Sequence, residues 1–218
     1  MAGMFYNNTN TEVEGSVVSV QIEEILQFWF GTMEDGFPST DRTALWWGAS
    51  DETDQLIDEL FGSSVRQALR GELNLWAESP RGRLALIILL DQFTRSLYRS
   101  SPEAFSGDER ALALCWMGLG RGHDQALDFA ERQFFYMPLE HAEELEAQDQ
   151  SIACFEQILM EVPPHRKVVA QGALDFAHQH RDQIIRFGRF PHRNRILGRS
   201  STTEELTFLN QSNHNWGQ

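Results

Sequence analysis

The chain has 218 residues, 41% hydrophobic, and its 18 Lys or Arg against 32 Asp or Glu give a formal net charge of −14. That length fits one domain with a real core. The acidic balance argues against general binding to nucleic acid or a membrane surface, and no apolar run approaches the ~20 residues that span a bilayer. Two cysteines without a spacing motif, Cys115 and Cys154, read as buried thiols of a reducing compartment. Residues 1–20 lack the pattern of a secretory signal, so the cytoplasm is the expected location.

In chain order, residues 1–18 read as a flexible tail and 19–212 as one all-α domain. A first helix is predicted over 19–30, with Ile22, Ile25, Leu26, Trp29 and Phe30 on one face. Asp51 is placed to cap a helix reaching Arg70, with Leu56, Leu60, Val65 and Leu69 inward. The most hydrophobic helix runs over 81–99. Leu86, Leu90, Phe93 and Leu97 form its stripe, and Asp91 and Arg95 make a second row at i,i+4 spacing suited to a partly buried ion pair. Asp108 opens the next helix. Gly118, Gly120 and Gly122 follow a helix and not a strand, so they are a turn and not a dinucleotide loop.

Pro138 is expected to break or open a helix. Phe134, Met137, His141 and Leu145 keep helical spacing, which turns His141 inward among Glu140, Glu143, Glu144 and Glu146. After a helix over 149–161, the run His165–Phe187 places Val169, Ala173, Phe176, His180, Ile184 and Phe187 on one face. Gly188 and Pro191 stop it. A loop follows, and Ser201 with Glu204 forms a capping box for the last helix. Residues 213–218 read as a polar tail. About eight helices joined by short turns imply antiparallel pairs, in a bundle or a stacked array.

Between His165 and Arg199 there are eight Lys or Arg, opposed only by Asp175 and Asp182. This cationic island either binds a mobile anion or serves as internal counter-ion to the acidic body. Inward-facing His and Arg need hydrogen-bond partners. Three groups are therefore expected to meet in one polar cluster: Asp91 with Arg95, His141 with Glu143, and His180 with Arg189, His192, Arg193 and Asn194. Gln148 and Tyr136 are expected nearby. One outcome is a pocket in which Arg95, Arg189 and Arg193 grip the carboxylate or phosphate of a small molecule or acidic peptide end. A second is an enzyme of hydrolase or lyase type, with His141 as general acid or base and Glu143 or Asp91 setting its tautomer. A third is a purely structural knot in an interaction scaffold. The nearby Arg disfavour a metal on His141, Glu144, His180 and His192, and no cofactor is expected.

The stretches LALIILLDQFTRSLYR (84–99), FFYMPLEHAEELEAQDQS (134–151) and HRDQIIRFGRFPHRNRILGRSSTTEE (180–205) together resemble one bacterial family, the domain of unknown function numbered 924. The resemblance runs over about residues 22–210, and FGRFPHRN is its most distinctive part. It implies an all-α, tetratricopeptide-like array without the repeat signature, and it implies no activity. The chain departs from the family pattern D-Q-x-P-R-N at Thr94 and Ser96, and from H-S-E at Ala142. These changes remove a hydroxyl and an amide that a ligand could use.

Overall fold

The computed structural model describes residues 9–211, with side chains from residue 18 onward. Residues 1–8 of the expected N-terminal tail and the 213–218 tail lie outside the described residues. The fold is all-α, with a single two-residue hairpin among the described residues. No described helix is long and apolar enough to cross a membrane.

Helix α1 (Thr9–Phe30) starts well before the predicted residue 19, and it buries Ile22, Ile25, Leu26, Trp29 and Phe30 as expected. The strands β1 (Met33–Glu34) and β2 (Phe37–Pro38) turn the chain antiparallel. A short helix α2 (Thr43–Trp47) precedes α3 (Asp51–Arg70). Ser50, and not Asp51, caps α3: its side chain accepts from the Thr53 N–H. The buried face of α3 is Ile57, Phe61, Val65 and Ala68, whereas Leu56 and Leu60 are exposed.

The next rod is α4 (Pro80–Ile87), a π-helical turn at Ile88–Phe93, and α5 (Thr94–Leu97). It lies at the centre of the molecule, with every residue from Gly82 to Thr94 buried. A π turn adds a residue to the ladder, so spacing alone misses it. Helix α6 (Asp108–Gly120) leads to α7 (Phe129–His141), α8 (Leu145–Glu161), α9 (Lys167–Phe187) and α10 (Thr203–Gln211).

Helix α7 runs through Pro138 instead of stopping or starting there, and it ends one turn later at His141. The Gln148 amide answers for its last carbonyls: Nε2 donates to Glu140 O at 2.7 Å, to Ala142 O at 2.8 Å and to Leu139 O at 3.3 Å. Leu145, expected inward, is exposed.

Helix α9 is rotated relative to the predicted face. It buries Ala170, Leu174, Ala177, His180, Gln183 and Ile184, while Val169 and Phe176 are each 51% exposed. Small Ala side chains let α9 lie on α8, its main neighbour, and the bulkier Val169 and Phe176 turn outward. Gly188 ends α9 in the left-handed conformation at φ 69°. The capping box of α10 falls one residue later than predicted. Glu205 N–H donates to Thr202 Oγ1 at 3.2 Å, and Thr202 N–H donates to Glu205 Oε2 at 2.7 Å.

Candidate functional site

The site begins at the π turn. The wider turn leaves the Leu90 carbonyl to accept the Thr94 hydroxyl at 2.8 Å. Gly107 sits against that same carbonyl so closely that a Cβ there would lie 2.2 Å from Leu90 O. This close approach delivers the next residue, Asp108 at the start of α6, to Arg95.

Arg95 is the hub. Its Nη1 donates to Asp108 Oδ1 at 3.0 Å and to Ala104 O at 3.1 Å. Its Nη2 donates at 3.3 Å to both Asp108 Oδ2 and Asp91 Oδ1. His141, ending α7, places Nδ1 at 2.7 Å from Asp91 Oδ1 and 3.1 Å from Arg95 Nη2. A guanidinium only donates, and one imidazole nitrogen cannot both donate and accept. The shorter contact, to a carboxylate, decides: Nδ1 carries the proton and donates to Asp91. Burial would raise the Asp91 pKa, but His141 and Arg95 together outweigh it and hold the carboxyl well below its ordinary range. Gln92 also donates to the other Asp91 oxygen. Nε2 of His141 bonds to no described residue.

Behind this dyad lies a second, neutral pair. His180 on α9 places Nδ1 at 3.0 Å from Glu140 Oε1 and 2.9 Å from the Phe176 carbonyl of its own helix. Burial, with the Asp91 charge adding to it, pushes Glu140 up to about 8. Burial, followed by His141, pushes His180 down to about 3, with Arg193 and Arg95 adding to the effect. Burial thus favours the uncharged form of both groups. Burying a neutral pair is less costly than burying an ion pair.

The loop 188–200 divides its cations by task. Arg189 turns to Glu205 in a fork of 2.7 and 2.9 Å and to the Ser200 carbonyl. Arg199 grips Glu143 at 2.6 and 2.9 Å and also donates to the Phe190 carbonyl, while Glu143 accepts the Phe190 N–H at 2.8 Å. Asn194 accepts from Arg199 Nε and donates to Ser201 Oγ. These four residues fasten the loop.

Arg193 alone points inward. Its guanidinium lies over the Phe105 ring at 4.9 Å and the Phe190 ring at 4.7 Å. It reaches Asp108 Oδ2 only at 3.4 Å, and its buried Nε has no hydrogen-bond partner. Burial first, then Arg95, lowers its pKa to about 10. His192 packs its half-buried ring 5.6 Å from Phe190 and is pushed down to about 3 by burial and by Arg193.

The expected cluster therefore contains Asp91, Arg95, His141, His180, His192 and Arg193. Gln148 touches its edge as the α7 cap. Glu143 does not set the His141 tautomer, because both its oxygens are taken by Arg199 and the Phe190 N–H. Arg189 and Asn194 serve the loop. Tyr136 belongs to a separate buried network, donating to Asp124 at 2.7 Å and accepting from Arg132. Sequence reasoning missed three members. Asp108 was legible only as a helix start, and Phe105 carried no signal at all. Glu140 entered only as one of four acidic residues around His141, with no role of its own, although its spacing from Tyr136 and Met137 put it on their buried face. Among the described residues no three His, Cys, Asp or Glu side chains form a group that could hold a metal.

No curated protein matches the chain. A solved structure of similar fold is a protein of unknown function, ATU0120, from Agrobacterium tumefaciens. It is 32% identical, covers 89% of this chain and 99% of its own, and superposes with a TM-score of 0.74. The model of a bacterial protein family of unknown function, DUF924, matches residues 25–213, most of the chain. With the order of its motifs and its helical architecture, this chain belongs to the DUF924 family.

Proposed function

We propose that the protein binds a small anion at the Arg95–Arg193 edge of the cluster. The carrying observation is Arg193. A guanidinium has five N–H donors, yet this one, 7% exposed, makes a single long bond to a carboxylate that Arg95 already engages. A buried polar group without partners costs about 1–3 kcal/mol, and more when it is charged. An anion that supplied the missing acceptors would recover that cost. The rim is polar and partly open, because Arg95, Asp108 and His141 all reach solvent. The ligand's charged end, whether from a metabolite or a peptide terminus, must be small to enter.

The test is thermal unfolding with a panel of small carboxylates, phosphate and sulfate at constant ionic strength, with sodium chloride as reference. Wild type is expected to gain several degrees with at least one anion, and Arg193→Gln to gain nothing. No shift beyond chloride in wild type, or equal shifts in both proteins, contradicts the proposal. The cluster would then be a structural knot within a tetratricopeptide-like interaction scaffold.

A second reading, acid–base chemistry on the bound anion, is favoured by the Asp91–His141 contact. An imidazole held as its Nδ1–H tautomer keeps the Nε2 lone pair free of a proton, as a general base requires. Metabolite profiling of a cell extract with wild type and with His141→Ala tests it. Identical profiles from the two proteins remove this reading.

A further inference from the structure

We infer that the protein associates with itself: the outward stripe of α9 on one copy lies in the trough between α1 and α3 of another. Three observations carry it.

The first is a pair of apolar stripes that the fold leaves uncovered. On α3, Leu56 and Leu60 are 44% and 55% exposed. On α9, Val168 is 84% exposed, and Val169 and Phe176 are each half-exposed. Apolar spacing would put both stripes in a core, and neither finds one within the chain. Exposed apolar rows with polar borders mark contact surfaces.

The second is shape. Leu60 and Phe61 form one wall of an open trough of about 750 Å³, and Val20, Glu24, Gln27 and Phe28 of α1 form the other. From Val20 to Phe28 is about 12 Å along a helix, and from Val168 to Phe176 is the same. Val169, Gly172 and Phe176 fall at i, i+3 and i+7, the spacing with which an amphipathic helix fills a groove. A Cβ at Gly172 would meet nothing within 4 Å, so a neighbouring helix can come close there.

The third is charge. Glu23 and Glu24 stand on the α1 wall, and Asp58 and Glu59 precede Leu60 on α3. Arg81 answers Glu23 and Arg66 answers Asp58. Among the described residues Glu24 and Glu59 form no ion pair; Glu59 accepts only from the neutral Gln55 amide. The α9 stripe is opposite in sign. Arg166 and Lys167 open it, and Asp175 is the one acid between 165 and 178. Arg166 lies over the Phe37 ring, and Lys167 donates to the Leu159 and Met160 carbonyls, so neither cation has a carboxylate partner among the described residues. Trough on trough would set acid against acid. Trough on stripe sets acid against base, the pairing that charge favours.

Sedimentation equilibrium of the full chain at about 0.1 mM, which nearly saturates a contact of micromolar affinity, tests the inference. Wild type is expected to exceed the mass of one chain. Leu60→Lys puts a cation in the trough, and Phe176→Glu puts an acid on the stripe. Each variant alone is expected to have the mass of one chain while circular dichroism shows it folded, as the exposure of both positions allows. Equal amounts of the two together are expected to recover a mass of at least two chains, because the mixture retains one intact trough and one intact stripe. Wild type at the mass of one chain, a folded variant that associates as wild type does, or a mixture that stays apart each overturns the proposal.

Discussion

Asp91 and His141 lie fifty positions apart in the chain, and Asp91 Oδ1 stands 2.7 Å from His141 Nδ1 with Arg95 Nη2 beside both. The carboxylate is wholly buried, so it fixes the imidazole as the Nδ1–H tautomer. Long-range proton–nitrogen NMR on the neutral ring is expected to show the proton on Nδ1. Asp91→Ala leaves a partly buried guanidinium and imidazole without their shared acceptor. Losing one partner of a buried pair is expected to cost about 3–5 kcal/mol in urea unfolding. A proton found on Nε2, or a loss below about 1 kcal/mol, contradicts this arrangement.

Stability should depend on pH through the neutral pair behind the dyad. Glu140 titrates near 8 when folded and near its ordinary 4.5 when unfolded. Its raised pKa adds stability that is complete below 4.5 and lost as pH rises toward 8. His180 runs the other way. Its folded value of about 3 lies below the ordinary 6.5, so its contribution is complete above 6.5 and lost as pH falls toward 3. Glu140→Gln keeps a neutral group of the same shape and cannot ionise. Its stability advantage over wild type is expected to grow from pH 4.5 to pH 8 and then level off. Parallel pH–stability curves for the two proteins would show that Glu140 is not held neutral.

Two glycines should respond in opposite directions to the same change. Gly107→Ala would drive a methyl into the Leu90 carbonyl of the π turn and displace Asp108. Overpacking of this kind costs about 1–3 kcal/mol. A methyl added at Gly172, within α9, would meet nothing within 4 Å, so Gly172→Ala is expected to stabilise by about 0.5–1 kcal/mol. Denaturant midpoints measure both. Equal effects at the two sites would contradict the close approach at Gly107.

Arg189 separates loop fastening from binding. It holds the buried carboxylate of Glu205 through a two-pronged bond, so Arg189→Ala leaves that carboxylate with the Thr202 N–H. A lower urea midpoint than wild type is expected. Anion affinity, read by calorimetry, should stay within about twofold of wild type. Loss of binding in a folded variant would put Arg189 in the site.

The sequence carried the helical class and the meeting of Asp91, Arg95, His141, His180 and Arg193, because apolar periodicity and the need to satisfy inward polar groups are local arguments. It did not carry the rotation of α9, where Val169 and Phe176 outweighed Ala170 and Ala177 in any hydropathy count. Packing prefers the small residues at a close helix contact. The π turn also escaped it: the extra residue leaves no mark in the apolar spacing, and Gly107, which packs against the Leu90 carbonyl of that turn, lies seventeen positions away. The division of the loop arginines was equally hidden. Arg189, Arg193 and Arg199 look alike in sequence, and only the folded positions of Glu205, Asp108 and Glu143 distinguish them.

The most direct measurement follows the Arg193 Nε–H signal by proton–nitrogen NMR, identified by its absence in Arg193→Lys, during a formate titration at constant ionic strength. A saturable shift of this signal, with the Arg189 Nε–H signal unmoved, is the expected result. An Arg193 signal that stays in place up to high formate concentration would mean that its unpartnered Nε is closed to ligands.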